Sequence, residues 1–386
     1  MTIITRSLLV RVTFTACALC AACVLLLAGC GSAVGTHSST LPGATMNADG
    51  QHAVPTPTLT PPSGWSQVLP QLQFTNTSTH GALVVSAAQP SRVVGCGMPT
   101  PNDQPAIPPS FVLSNDGGVT WQIHAIPDMP PAQSCTILAD VIEPDSFVVF
   151  SDAVYASRDA GKTWQVMHLP RVARLIGLAG GQLFAVADRS SQAAGSLVQA
   201  SLATGAWRTA TQTLPTAGWD PYAAAVDPDN PAVIYLSGMS AGATAVYRTS
   251  DGGASWQAVL TLPSAQRIAL YTAHHQQVLA EQLNGRDSSH PIYYSADGGA
   301  NWHDIADGEI HSGFVLGVSP QGRTIVASGL DAWTDTLYAF DPAHAAFTTL
   351  GTYRLGQGPL LAAVADGSTP ALLAATPDHV WRLPLS

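Results

Sequence analysis

The sequence predicts an all-β fold, a single seven-bladed β-propeller of four-stranded antiparallel blades. Three observations predict it. One eight-residue pattern occurs four times, its tryptophans recur at a period near 45 residues, and a stretch near Trp65 matches the outer strand that the last unit lacks. A unit of that length holding four short strands is what a propeller blade requires.

The four copies read Ser114-Asn-Asp116-Gly-Gly118-Val-Thr120-Trp121, Ser157-Arg-Asp159-Ala-Gly161-Lys-Thr163-Trp164, Thr249-Ser-Asp251-Gly-Gly253-Ala-Ser255-Trp256 and Ser295-Ala-Asp297-Gly-Gly299-Ala-Asn301-Trp302. Each lies between short apolar runs, a strand–turn–strand signature. The Asp accepts bonds from turn N–H groups and closes the loop without help from neighbours. Gly at the fifth position supplies a positive φ. The hydroxyl adds a local bond to the backbone. The Trp opens the outgoing strand and buries roughly 150–250 Å² against its own blade.

The pattern resembles the Asp-box, or BNR repeat, of sialidase-like and related propellers. That resemblance implies scaffold corners on separate blades, so the octad carboxylates are structural, neither metal ligands nor general acids.

Trp121, Trp164, Trp207, Trp256 and Trp302 are spaced by 43, 43, 49 and 46 residues, which sets the period. Trp207 follows a decayed copy that keeps Ser201 and Gly205 but loses the Asp, and a second decayed turn runs from Asp341 to Phe347. Pro- and Gly-rich turns, such as Glu143-Pro144-Asp145 and Gly180-Gly181, separate the two inner strands of each unit. The last unit, from residue 359, has only three strands. Gly64-Trp65-Ser66-Gln67-Val68 is similar to Thr163-Trp164-Gln165-Val166, so residues 64–74 are expected to supply the fourth strand and close the ring. Closure removes the unpaired edges of an open ring.

The first 29 residues resemble a bacterial lipoprotein signal. Arg6 and Arg11 give a basic start, an apolar stretch follows, and Leu27-Ala28-Gly29-Cys30 matches a lipobox. The resemblance implies lipidation at Cys30 and an anchored domain on the extracytoplasmic, cell-surface side of a bacterial membrane; an uncleaved anchor is the alternative. Residues 30–62, rich in Ser, Thr, Pro and Gly, read as a disordered linker, and residues 63–386 as the propeller. Cys17, Cys20 and Cys23 leave with the signal. Cys96 and Cys135 remain, either as a disulfide between adjacent blades or as two buried thiols.

The whole chain carries 15 basic and 25 acidic residues, a net charge of −10. Loss of the signal takes away Arg6 and Arg11, and Lys162 is the chain's single lysine. That balance argues against nucleic acid, whose phosphates demand basic patches. No cofactor motif and no zinc spacing occurs, and a monomer is expected.

The octad turns and inner hairpin turns share one face. The other face carries the loops between second and third strands and the connections between blades, where function tends to reside. The segments there are 97–109, 188–195, 282–290 and 328–335, of which the first is stiff and proline-rich. Trp219, Tyr222, Trp333, Tyr353 and Arg354 fall in expected loops of that face, either as contacts for a sugar or protein partner or packed between blades. His274-His275 sits by an inner hairpin on the opposite face and reads as solvated.

Sialidases bind their substrate carboxylate through arginines, the first in an Arg-Ile-Pro motif, and use a Tyr nucleophile paired with a Glu. No Arg-Ile-Pro occurs here, and Glu143, Glu281 and Glu309 are the only glutamates. Glu281 and Glu309 are placed near the mouth, and a glycoside hydrolase using an Asp/Glu pair is the rival reading. The architecture from residue 64 onward is more similar to the photosystem II assembly factor propellers of the Ycf48 type, single seven-bladed Asp-box rings that act by binding. The expectation is therefore a non-catalytic, lipid-anchored module that recognises a protein or glycan partner through its loop-rich face.

Overall fold

The computed structural model describes residues 64–385 except 71, 74–82, 100–107, 131–134, 169–171, 188–195, 214–219, 241, 264–265, 284–290, 306–309, 311–312, 330–333, 355–360, 367–369 and 376–378. The expected signal, Cys30 and linker lie outside the described residues.

Seven antiparallel sheets form seven blades. Counted from the axis outward, the first holds Leu83–Val85, Val93–Pro99, Ser110–Ser114 and Gln122–Ala125. The second holds Thr136–Ala139, Phe147–Phe150, Val154–Ser157 and Gln165–Met167. The next four begin with the inner strands Val172–Ala179, Asp220–Val226, Arg267–Ala273 and Gly313–Val318. The seventh is composite: Leu361–Ala365, Ala371–Ala375 and His379–Pro384 come from the C-terminus, and Ser66–Pro70 is its outer strand. Ser66 pairs with Arg382 and Pro70 with His379, which is the closure the sequence predicts. Leu72–Gln73 then crosses to pair with Met98 and Pro99 of the first blade. Consecutive inner strands touch around the whole ring.

The octads fold alike because their bonds are local. In each, the first-position hydroxyl accepts the N–H of the fifth-position Gly at 2.8–2.9 Å and donates to the Asp at 2.7–2.9 Å. The Asp also accepts the backbone N–H of the seventh residue at 2.8–2.9 Å and its side chain at 2.6–2.7 Å. The fourth-position N–H reaches the inner hairpin turn of the same blade, as in Gly117 to Ser91 and Gly252 to Ala232, so both sets of turns lie on one face.

The octad's contacts reach beyond its own blade. Its tryptophan packs against its own blade, as expected, and also enters the joint with the preceding one. Trp121 lies on the cluster of Leu373, Val380 and Val93, Trp164 on that of Phe111 and Val94, Trp256 on that of Leu197 and Val186. Trp207, Trp302, Phe347 and Trp65 occupy the corresponding places in the other joints. One aromatic at the head of each outer strand thus fills each of seven joints, and the core is seven inter-blade clusters. The octad closes through its own bonds, and preceding blades then add contacts to it. The carbonyls of Gly117, Gly252 and Gly298 accept from Arg382, Gln199 and Tyr235 of preceding blades. A Cβ on Gly118 would lie 2.5 Å from Leu373, and one on Gly161 2.4 Å from Phe111, so these glycines let neighbouring blades approach.

Candidate functional site

Several inner hairpin turns are tied to the next blade by side chains. The buried Asp140 carboxylate accepts the N–H groups of Gly180 and Gly181 at 2.9 and 2.7 Å. Asp229 takes the His275 N–H at 2.6 Å and pairs with His274 Nδ1 at 2.6 Å. His274 is only 22% exposed in its side chain, so the residue is a joint contact and not a freely solvated one. Arg92 reaches the Pro144 carbonyl at 2.6 Å and the Asp145 carboxylate. These bonds make the turn face a stiff rim.

On the opposite face the sulfurs of Cys96 and Cys135 are bonded, with Cα atoms 6.0 Å apart. Cys96 lies in the second strand of the first blade, which runs on to Pro99, so residues 97–99 belong to that strand and not to the expected 97–109 loop; 100–107 lie outside the described residues. Cys135 closes the connection to the second blade. The bridge therefore fixes the first blade's second strand to the entry of the second blade.

The expected loop residues divide in two. Trp219, Trp333 and Glu309 lie outside the described residues. Tyr222 is not in a loop but in the inner strand Asp220–Val226, half-buried, with the Arg267 guanidinium 5.1 Å from its ring centroid. Tyr353 and Arg354 also belong to a strand, the outer Ala346–Arg354, paired with Asp335 and Thr334.

Glu281 is 2% exposed and does not face an open mouth. One oxygen accepts the Tyr271 hydroxyl at 3.0 Å, the other the Val315 N–H at 3.1 Å, so the carboxyl ties the fifth blade to the sixth. Burial pushes its pKa up to about 7 against the opposing pull of those two donors. Burial and the adjacent carboxylate raise the Tyr271 hydroxyl well above its ordinary value. Tyr271 was invisible as a site residue in the sequence, since it sits inside an apolar run with no motif around it.

On the axis the seven inner strands enclose a cavity of about 260 Å³. Its wall includes Leu83, Ile137, Leu178, Val226, Leu270, Leu316 and Val364, one from each blade. Among the described residues, no group of three or more His, Cys, Asp or Glu side chains is arranged to hold a metal.

A ring of this construction has a family counterpart. The model of the DUF6242 beta propeller domain matches residues 109–314, from the first octad hairpin to the start of the sixth blade. The chain belongs to that family. Among solved structures, this DUF6242 propeller is similar to YCF48 from Cyanidioschyzon merolae, with 13% identity, a TM-score of 0.53, and coverage of 83% of this chain and 99% of that one. It is also similar to a chain in the crystal structure of a mitotic checkpoint complex, with 14% identity, a TM-score of 0.52, and coverage of 91% and 98%. At such identities the likeness is one of fold. No curated protein matches the DUF6242 propeller in sequence.

Proposed function

We propose that this protein is a lipid-anchored extracytoplasmic binding or scaffold module, and that it recognises a protein or glycan partner through its loop-rich face without catalysis. The observation that carries the reading is the Cys96–Cys135 bond. It joins Cys96, in the strand that leads into the proline-rich segment, to Cys135 at the entry of the second blade. A loop held in place before binding loses less entropy when a partner arrives. Disulfides belong to oxidising compartments, which fits export and an anchor at Cys30. The linker at 31–62 then serves as a tether between lipid and ring.

The test has two arms. Cys30→Ser releases the protein from the membrane fraction, and unchanged partitioning refutes the anchor. Glycan arrays and crosslinking in intact cells report a partner, and replacement of residues 98–108 by a Gly-Ser linker abolishes capture while the ring still melts cooperatively. The rival reading is a glycoside hydrolase using an Asp/Glu pair; Glu281, the described glutamate near the axis, is buried and held by Tyr271 and the Val315 N–H, which speaks against it. Saturable turnover of fluorogenic glycosides, lost in Glu281→Gln or Glu309→Gln, establishes that rival and overturns the binding reading.

A further inference from the structure

We propose that the axis of the ring binds a small apolar molecule with a two-ring or medium-chain body and one polar end, entered from the face of the hairpin turns. The site is separate from the loop-rich face and stands whether or not that face takes a partner.

Size and lining define the ligand class. An apolar cavity of roughly 150 Å³ stays dry and admits benzene. The axial cavity, at about 260 Å³, has room for a larger body. Its side-chain wall is aliphatic apart from Tyr271 and Thr272. Neither hydroxyl has a proton free to donate, because Thr272 donates to the Val226 carbonyl at 2.8 Å and Tyr271 to Glu281. The side chains offer water no free donor, so water there is held by main-chain groups alone, and a ligand that replaces it must keep a polar end for those groups. The inner strands are sheet edges, and their main-chain groups face the axis. Some are already used: Ser237 donates to the Ile268 carbonyl and the Val141 N–H to the Leu178 carbonyl. The remainder suit one polar substituent and disfavour a plain hydrocarbon.

Position defines the entrance. The wall is built from the later part of each inner strand and runs past the strand ends to Ala87, Val141, Pro228 and Pro320. Those residues open the inner hairpin turns, so the cavity lies toward the turn face. The stiff rim described above keeps that entrance in shape.

Benzophenone, an apolar two-ring ketone that inserts into nearby C–H bonds on irradiation, is the probe. It is applied to the full chain carrying Cys30→Ser, so that no acyl chain or detergent competes. Adducts mapped by mass spectrometry are expected within 137–141, 225–228 or 316–320, saturating with probe and displaced by excess decan-1-ol. Ala139→Leu with Ala225→Leu fills the axis from two blades and lowers labelling at least tenfold in protein that still melts cooperatively. Where that pair fails to fold, the adduct map and decanol displacement on the parent decide alone. Val119→Ser with Ile123→Ser removes two exposed apolar side chains and leaves axial labelling within twofold. Adducts at Val119, Ile123 or Val166, labelling that never saturates, or undiminished labelling of a folded filled variant overturns the proposal.

Discussion

The Arg382 Nε–H donates to the Gly117 carbonyl across 2.9 Å, so the last strand of the chain holds the first octad. The two residues are 265 positions apart, and Arg382 is 7% exposed. Beside this bond, Gly118 takes φ +82, and Leu373 fills the space that a Cβ there would occupy. The joint between seventh and first blades is where the ring closes, and no covalent connection passes through it except the N-terminal strand. Its bonds should therefore weigh on the whole domain.

Arg382→Ala removes a charged donor and leaves a buried carbonyl short of a partner, at a cost of about 1.5–3 kcal/mol. Gly118→Ala adds left-handed strain of about 1–2 kcal/mol to the contact with Leu373. Urea denaturation should show both midpoints lowered with the slope unchanged. Two transitions in place of one would mean that the seventh blade opens by itself and that the ring is not a single cooperative unit.

Glu281 predicts an inverted pH response. Its folded pKa of about 7 lies above the ordinary value of 4.5, so the native state holds the proton more tightly than the unfolded chain. Its contribution is most favourable below about pH 4.5 and declines as pH rises toward 7. Glu281→Gln keeps an acceptor for the Val315 N–H and carries no charge. The variant should melt higher than the parent at pH 8, with the gap closing by pH 4.5. A variant less stable at pH 8 would show that the ionised carboxylate is itself the favourable tie.

Asp159→Ala deletes the acceptor for the Thr163 N–H and hydroxyl and for Ser157. Solvent around the turn limits the loss to about 1–2 kcal/mol. Bonds from Ser255 and Thr249, and from Asn301 and Ser295, hold Asp251 and Asp297 at about 2, below the ordinary 3.8. The corresponding stability is present above pH 4 and lost as pH falls toward 2. Parent protein should lose stability steeply below pH 4, and Asp159→Ala should approach the parent there. A variant with normal stability but altered ligand affinity would contradict a scaffold role for the octad.

Much of this fold is legible in the sequence because its determinants are local. The octads hold their own turns through residues two to four positions apart, and Trp65 is readable because it repeats the start of an outer strand. What escapes is contact between blades. Nothing near Gly117 signals Arg382, and strand alternation does not tell which neighbouring blade Glu281 will face. Tyr222 reads as a loop residue because Pro221 follows Asp220, yet an inner strand is a sheet edge and tolerates proline at the irregularity between Pro221 and Ala223. Tyr353 and Arg354 read as a connection because Gly351 precedes them, whereas the nine-residue outer strand runs through that glycine.

The Cys96–Cys135 bond closes 39 residues that include the proline-rich loop and the first octad. Constraint of the unfolded chain over such a loop is worth about 2–4 kcal/mol. Cys96→Ser with Cys135→Ala should therefore lower stability by that amount, read by denaturant titration, while the first two blades still form because Phe111, Ile137 and Phe147 remain packed around the site. The informative readout is partner capture. If the bridge serves to hold the proline-rich loop in its binding shape, capture weakens more than stability accounts for, because the freed loop must be ordered each time a partner binds. Equal capture by the folded variant would make the bridge a staple of the first joint alone and would remove the main support for recognition through this loop.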